Sequence, residues 1–61
     1  MSIKIAIELD QEEAWCFAEV LKRAGIDDYK RLSKTEEEAY HAMSAADKIR
    51  EALSQSGVNP R

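Results

Sequence analysis

The sequence predicts a mostly helical α+β domain in which one N-terminal strand precedes two main helices. Residues 3–9 alternate apolar and polar side chains, and two later segments repeat apolar residues at helical spacing. Each of those later segments also begins at a helix-capping residue. With 61 residues the chain is long enough for one domain, so we expect a single strand-helix-helix unit over residues 1–61.

The N-terminal alternation is typical of a strand with one buried face. No second segment of strand character follows, so this strand needs a mate from outside the chain. We predict a homodimer whose strands pair antiparallel about Ala6, which places Lys4 opposite Glu8. The alternative is a strand that lies flat on its own helices without pairing. The predicted dimer strand consists of Ile3, Lys4, Ile5, Ala6, Ile7, Glu8 and Leu9.

Two capping signals predict where the helices begin. Asp10 is followed by Glu13 in the pattern of a capping box, and the last helix is expected to begin at Ser33 or Thr35. The first helix carries an apolar arc wider than a surface helix needs, so more than one neighbour should cover it. That arc consists of Ala14, Trp15, Phe17, Ala18, Val20, Leu21 and Ala24.

Glycines predict where the helices end. Gly25 and Gly57 are each followed by an apolar residue, as in a left-handed helix terminus. Residues 27–32 are expected to form a connecting helical turn. The last helix carries a seam that should let another helix approach closely. The seam consists of Ala39, Ala42, Ala46, Ile49 and Leu53.

Composition restricts the chemistry. The net charge of -3 argues against tight non-specific binding to phosphate backbones, although nucleic acid remains possible. Cys16 is the one cysteine, so no internal disulfide forms and stability should depend on oligomerisation. His41 is best explained as a solvated helix pair with Glu37. We expect no enzyme activity, cofactor, metal or membrane association, and a cytoplasmic location.

Charged and aromatic residues are the candidates for contact with a partner. An acidic group around the start of the first helix is the first candidate to meet a basic surface, and tyrosines beside basic residues are the second. The acidic group consists of Glu8, Asp10, Glu12, Glu13 and Glu19. The second group consists of Tyr29, Lys30, Arg31 and Tyr40.

The order of strand, helix and helix resembles the ribbon-helix-helix DNA-binding proteins. That resemblance implies that outward ribbon residues would contact the major groove, here Ser2, Lys4, Ala6 and Glu8. The chain departs from that family in its acidic charge and in a longer link between its helices. A transcriptional regulator is therefore the alternative function.

A second resemblance covers nearly the whole chain and implies a phage or mobile-element setting. It concerns uncharacterised short proteins of such elements, and small acidic proteins from that setting are often inhibitors of host defence. We therefore expect a non-enzymatic protein-binding module, an anti-CRISPR-like stoichiometric inhibitor of a host defence complex. The matching segments are Ala14-Trp15, Phe17-Ala18, Leu21-Lys22-Arg23, Gly25, Glu38-Ala39-Tyr40 and Pro60-Arg61.

Overall fold

A computed structural model describes residues 1–60. It contains three helices, α1 (Gln11–Arg23), α2 (Ile26–Leu32) and α3 (Glu36–Gln55). Both α1 and α2 contact α3, which is therefore the central element. Arg61, the last residue of the phage-type resemblance, lies outside the described residues.

The predicted N-terminal strand is wrong. Residues 1–10 have no regular secondary structure, so the described part of the chain is all-helical and forms no two-stranded ribbon. A strand exists only where a second segment completes its hydrogen-bond ladder, and residues 3–9 have no such mate. Their backbone groups are exposed and can bond to water. We call residues 1–9 the arm.

The predicted helix starts are confirmed. The Asp10 side chain accepts a hydrogen bond from the Glu13 backbone N–H at 2.8 Å, and the Glu13 carboxylate accepts one from the Asp10 N–H at 3.1 Å. Thr35, the second of the two predicted caps, accepts a hydrogen bond from the backbone N–H of Glu38 at 3.1 Å. Local hydrogen bonds thus define where α1 and α3 begin.

One of the two predicted helix endings is confirmed, and the other is wrong. Gly57 has φ of 94°, and the Val58 N–H donates to the Leu53 carbonyl at 2.9 Å, as a left-handed ending requires. Gly25 instead has φ of -108° and begins α2, where its N–H donates to the Asp28 carboxylate. Residues 24 and 25 form an extended link, so Gly25 supplies no left-handed ending to α1.

The core is small and the molecule is flat. Five apolar residues are buried, and four of them are alanines: Ala14, Ala18, Leu21, Ala39 and Ala46. The Cα envelope measures 33 × 29 × 15 Å, and its radius of gyration of 12.4 Å exceeds the roughly 10.5 Å expected for a compact chain of this length. The accessible surface of 5415 Å² compares with about 4,000 Å² for a typical folded monomer of this mass.

Candidate protein-binding surfaces

An open groove separates the arm from α3. It has a volume of about 810 Å³ and a mostly apolar lining. The odd-numbered arm residues Ile3, Ile5, Ile7 and Leu9 all line it, whereas the even-numbered arm residues do not. The period-two alternation therefore correctly predicts which side chains share a face, although it does not produce a strand.

The other wall of the groove is the C-terminal half of α3. Ala45, Ile49, Ala52 and Ser56 recur there at steps of four, three and four, with Leu53 and Val58 beside them. Small side chains at this spacing leave the helix backbone open to close approach. The predicted seam is confirmed at Ala39 and Ala46, which are buried in a chain where α1 and α2 both contact α3. Its members Ile49 and Leu53 line the groove, whereas Ala42 is exposed. Ala45 and Ala52 were not predicted.

The apolar arc of α1 is only partly covered. Ala14, Ala18 and Leu21 are buried, but Trp15 remains 43% exposed and Phe17 41% exposed. The wide arc predicted more than one neighbour, and the single chain supplies only α3. Within the described residues a second neighbour is therefore absent, and the aromatic flank of the arc stays exposed.

The acidic group at the start of α1 divides into structural and free carboxylates. Asp10 and Glu13 are engaged in the capping box, and Glu19 is half-buried. Glu8 and Glu12 are exposed, and within residues 1–60 neither forms an ion pair. Residues 1–20 hold five carboxylates and one lysine, so this end of the molecule is negative. The name acidic patch is used for all five of these carboxylates: Glu8, Asp10, Glu12, Glu13 and Glu19.

The basic and aromatic candidates lie together between α2 and α3, where each cation has an acidic neighbour. Lys30 Nζ lies 3.4 Å from the Glu36 carboxylate and 5.9 Å from the centre of the Tyr40 ring. Arg31 pairs with Asp28 at 3.5 Å. Tyr29 is half-buried, and Tyr40 is 50% exposed. This cluster therefore joins α2 to α3 and carries little unbalanced positive charge.

The remaining reactive side chains are dispersed. His41 Nε2 lies 3.7 Å from Glu37 Oε1 on the exposed side of α3, which is the helix pair predicted from their spacing. Cys16 is exposed on α1. Among residues 1–60 there is no group of three histidine, cysteine or acidic side chains close enough to share a metal ion.

None of the helices in the described residues combines the length and apolar character needed to cross a bilayer.

Fold and surface together define a small, flat three-helix protein with an apolar groove. The chain belongs to a family of unknown function, DUF7706, whose model matches residues 1–61. No curated protein and no solved structure matches it.

Proposed function

We propose that this chain is a non-enzymatic protein-binding module that works as a homodimer. The observation that carries the proposal is the imbalance between its core and its surface. Among residues 1–60 five are buried, of which only Leu21 is large, whereas ten large apolar residues are exposed. Contiguous exposed apolar surface on a folded domain marks a place where another molecule binds.

The homodimer is supported by the size of the chain. A domain of about 60 residues gains little free energy from a single core, and small proteins commonly add a disulfide, a metal or another subunit. One cysteine allows no internal disulfide. A second copy is the remaining source of buried apolar area that the sequence itself supplies. The module then consists of two chains, and each presents its own acidic patch.

The acidic patch is the surface we assign to the heterologous partner. Within residues 1–60 Glu8 and Glu12 form no ion pair, whereas Lys30 and Arg31 do, so we assign the two glutamates to a basic protein surface. Our specific proposal is an anti-CRISPR-like inhibitor whose partner is a basic, nucleic-acid-binding component of a host defence complex. The acidic charge and the phage-type resemblance of the sequence support it.

Two observations weigh against the ribbon-type DNA-binding alternative. The arm forms no strand that could enter the major groove. The cations Lys30 and Arg31 are engaged by carboxylates within 3.5 Å. We therefore favour a protein partner over DNA.

Charge reversal at matched helix positions tests the role of the acidic patch. Glu12 and Glu37 are both exposed glutamates at the second position of a helix, so Glu12→Lys and Glu37→Lys cost similar helix-dipole energy. Wild-type protein should capture one stoichiometric partner from a lysate of its host cell. Glu12→Lys should release that partner, and Glu37→Lys should retain it. Equal capture by both variants would remove the acidic patch from the proposal, and capture of duplex DNA alone would reinstate the regulator.

A further inference from the structure

The groove between the arm and α3 is unoccupied by any segment of residues 1–60. Isoleucine and leucine side chains line both walls, with Ile5 71% and Ile7 65% exposed. The arm forms no hydrogen bond to α3 among the described residues. Something apolar must therefore cover these side chains for the arm to hold a fixed position.

We infer that a second copy of this chain closes the groove, with the two α3 helices side by side and each arm lying over its partner. This inference rests on the homodimer proposed above and assigns its interface. The proposal concerns the surface formed by Ile5, Ile7, Ala45, Ile49, Ala52 and Leu53.

The large accessible surface of the single chain favours a second copy as the occupant of the groove. The chain exposes 5415 Å², which is about 1,400 Å² more than a folded monomer of its mass should expose. A stable interface of ordinary size buries about 800 Å² on each partner. The surplus is thus large enough to form one complete dimer interface.

The groove surface is also complementary to itself, which a homodimer requires. A two-fold interface places the same surface on both partners, so each feature must find its match in itself. The α3 wall offers small residues, Ala45 and Ala52, that allow the backbones of two identical helices to approach closely. The arm offers long branched side chains that can cover the same small residues on the other copy. One chain therefore supplies both the recess and the groups that fill it.

Adjacent substitutions on α3 test the interface. Ala45 and Ser44 are neighbours on the same helix and are both exposed in the single chain, but only Ala45 lines the groove. Because glutamate is well tolerated inside a helix, Ala45→Glu and Ser44→Glu differ chiefly in the face they charge. Sedimentation equilibrium should show the dimer dissociation constant raised about tenfold or more by Ala45→Glu, because a charge would be buried at the interface, and unchanged by Ser44→Glu.

The possible results distinguish a failure of the groove interface from a failure of the homodimer itself. A dimer that tolerates Ala45→Glu as well as Ser44→Glu overturns the groove interface while the homodimer stands. A wild-type chain that stays single at high micromolar concentration overturns both, and an apolar helix of another protein becomes the occupant. If Ala45→Glu also loses helical circular dichroism while Ser44→Glu retains it, the inference is supported, because both residues are exposed in a single chain and only Ala45 lines the groove.

Discussion

The arm has a more apolar sequence than the helical part of this protein, yet its apolar side chains are the more exposed. Each of the three helices begins at a residue that forms a capping hydrogen bond, and α1 and α3 bury side chains in a small alanine-rich core. The arm carries three isoleucines, all more than 60% exposed, and makes no hydrogen bond among the described residues. Contacts within the chain hold the helices together, whereas for the arm we propose contacts with a second copy.

We therefore expect the arm to govern association and the helices to govern the free energy of unfolding. Substitutions in the arm should change association and leave the helices intact. Substitutions at caps and in the core should change the free energy of unfolding and leave the interface chemistry intact.

The largest effect is expected at the arm. Ile5→Asp places a charge against the groove, whereas Ala6→Asp places the same charge on the other face of the same segment. Burying an unpaired carboxylate costs on the order of 2–4 kcal/mol, so Ile5→Asp should weaken the dimer by about 30-fold or more. Analytical ultracentrifugation measures the two dissociation constants. Equal values for the two variants would contradict the assignment of the odd-numbered residues to the interface.

The next effect is expected at the core. Leu21 is the one large side chain that is buried, at 7% exposure, so Leu21→Ala should destabilise the folded state by about 2–3 kcal/mol. Leu32 is 81% exposed, and Leu32→Ala should change stability by less than about 0.5 kcal/mol. Urea unfolding followed by circular dichroism at one fixed concentration compares them. A larger loss at Leu32 would mean that α2 is covered by a partner.

A smaller effect separates the two glycines. Alanine at Gly57 must adopt φ of 94°, so Gly57→Ala should cost about 1 kcal/mol. Gly25 has φ of -108°, and a β-carbon added there would meet no atom within 4 Å. Gly25→Ala should therefore stabilise by about 0.4–1 kcal/mol, through a less flexible unfolded chain. Thermal unfolding of the two variants should shift in opposite directions, and a shared direction would refute the assigned α1 and α3 endings.

The smallest effect is expected at the α1 cap. Asp10→Ala removes the side-chain acceptor of the capping box and should cost about 1 kcal/mol. Asp10→Asn keeps an acceptor for the Glu13 N–H and should lie within a few tenths of a kcal/mol of wild type. Urea midpoints measure both. A loss of similar size in the two variants would show that the negative charge of Asp10, and not its hydrogen bond, stabilises α1.

Local signals in the sequence predict most of the helical part. The Asp10 and Thr35 caps and the Gly57 ending each involve residues within five positions, so their hydrogen bonds follow from spacing alone. The prediction for Gly25 is wrong because a helix end and the start of the next helix both favour glycine, and Asp28 decides between them through one hydrogen bond.

The surroundings of the arm, in contrast, could not be predicted from the sequence. Alternation predicts that Ile3, Ile5 and Ile7 share a face, and the groove confirms it. Alternation cannot state what that face touches, because an extended segment becomes a strand only when another backbone pairs with it. The groove wall on α3 escapes prediction for a related reason. Ala45 and Ala52 are offset by less than one turn from the predicted seam, and only packing against α1 and α2 determines which alanines are buried.

Sedimentation equilibrium of the wild-type chain is the decisive measurement for the homodimer. We expect a species of twice 6.9 kDa in the micromolar range and a thermal midpoint that rises with protein concentration. A fully helical species of 6.9 kDa, with a midpoint independent of concentration, would contradict it.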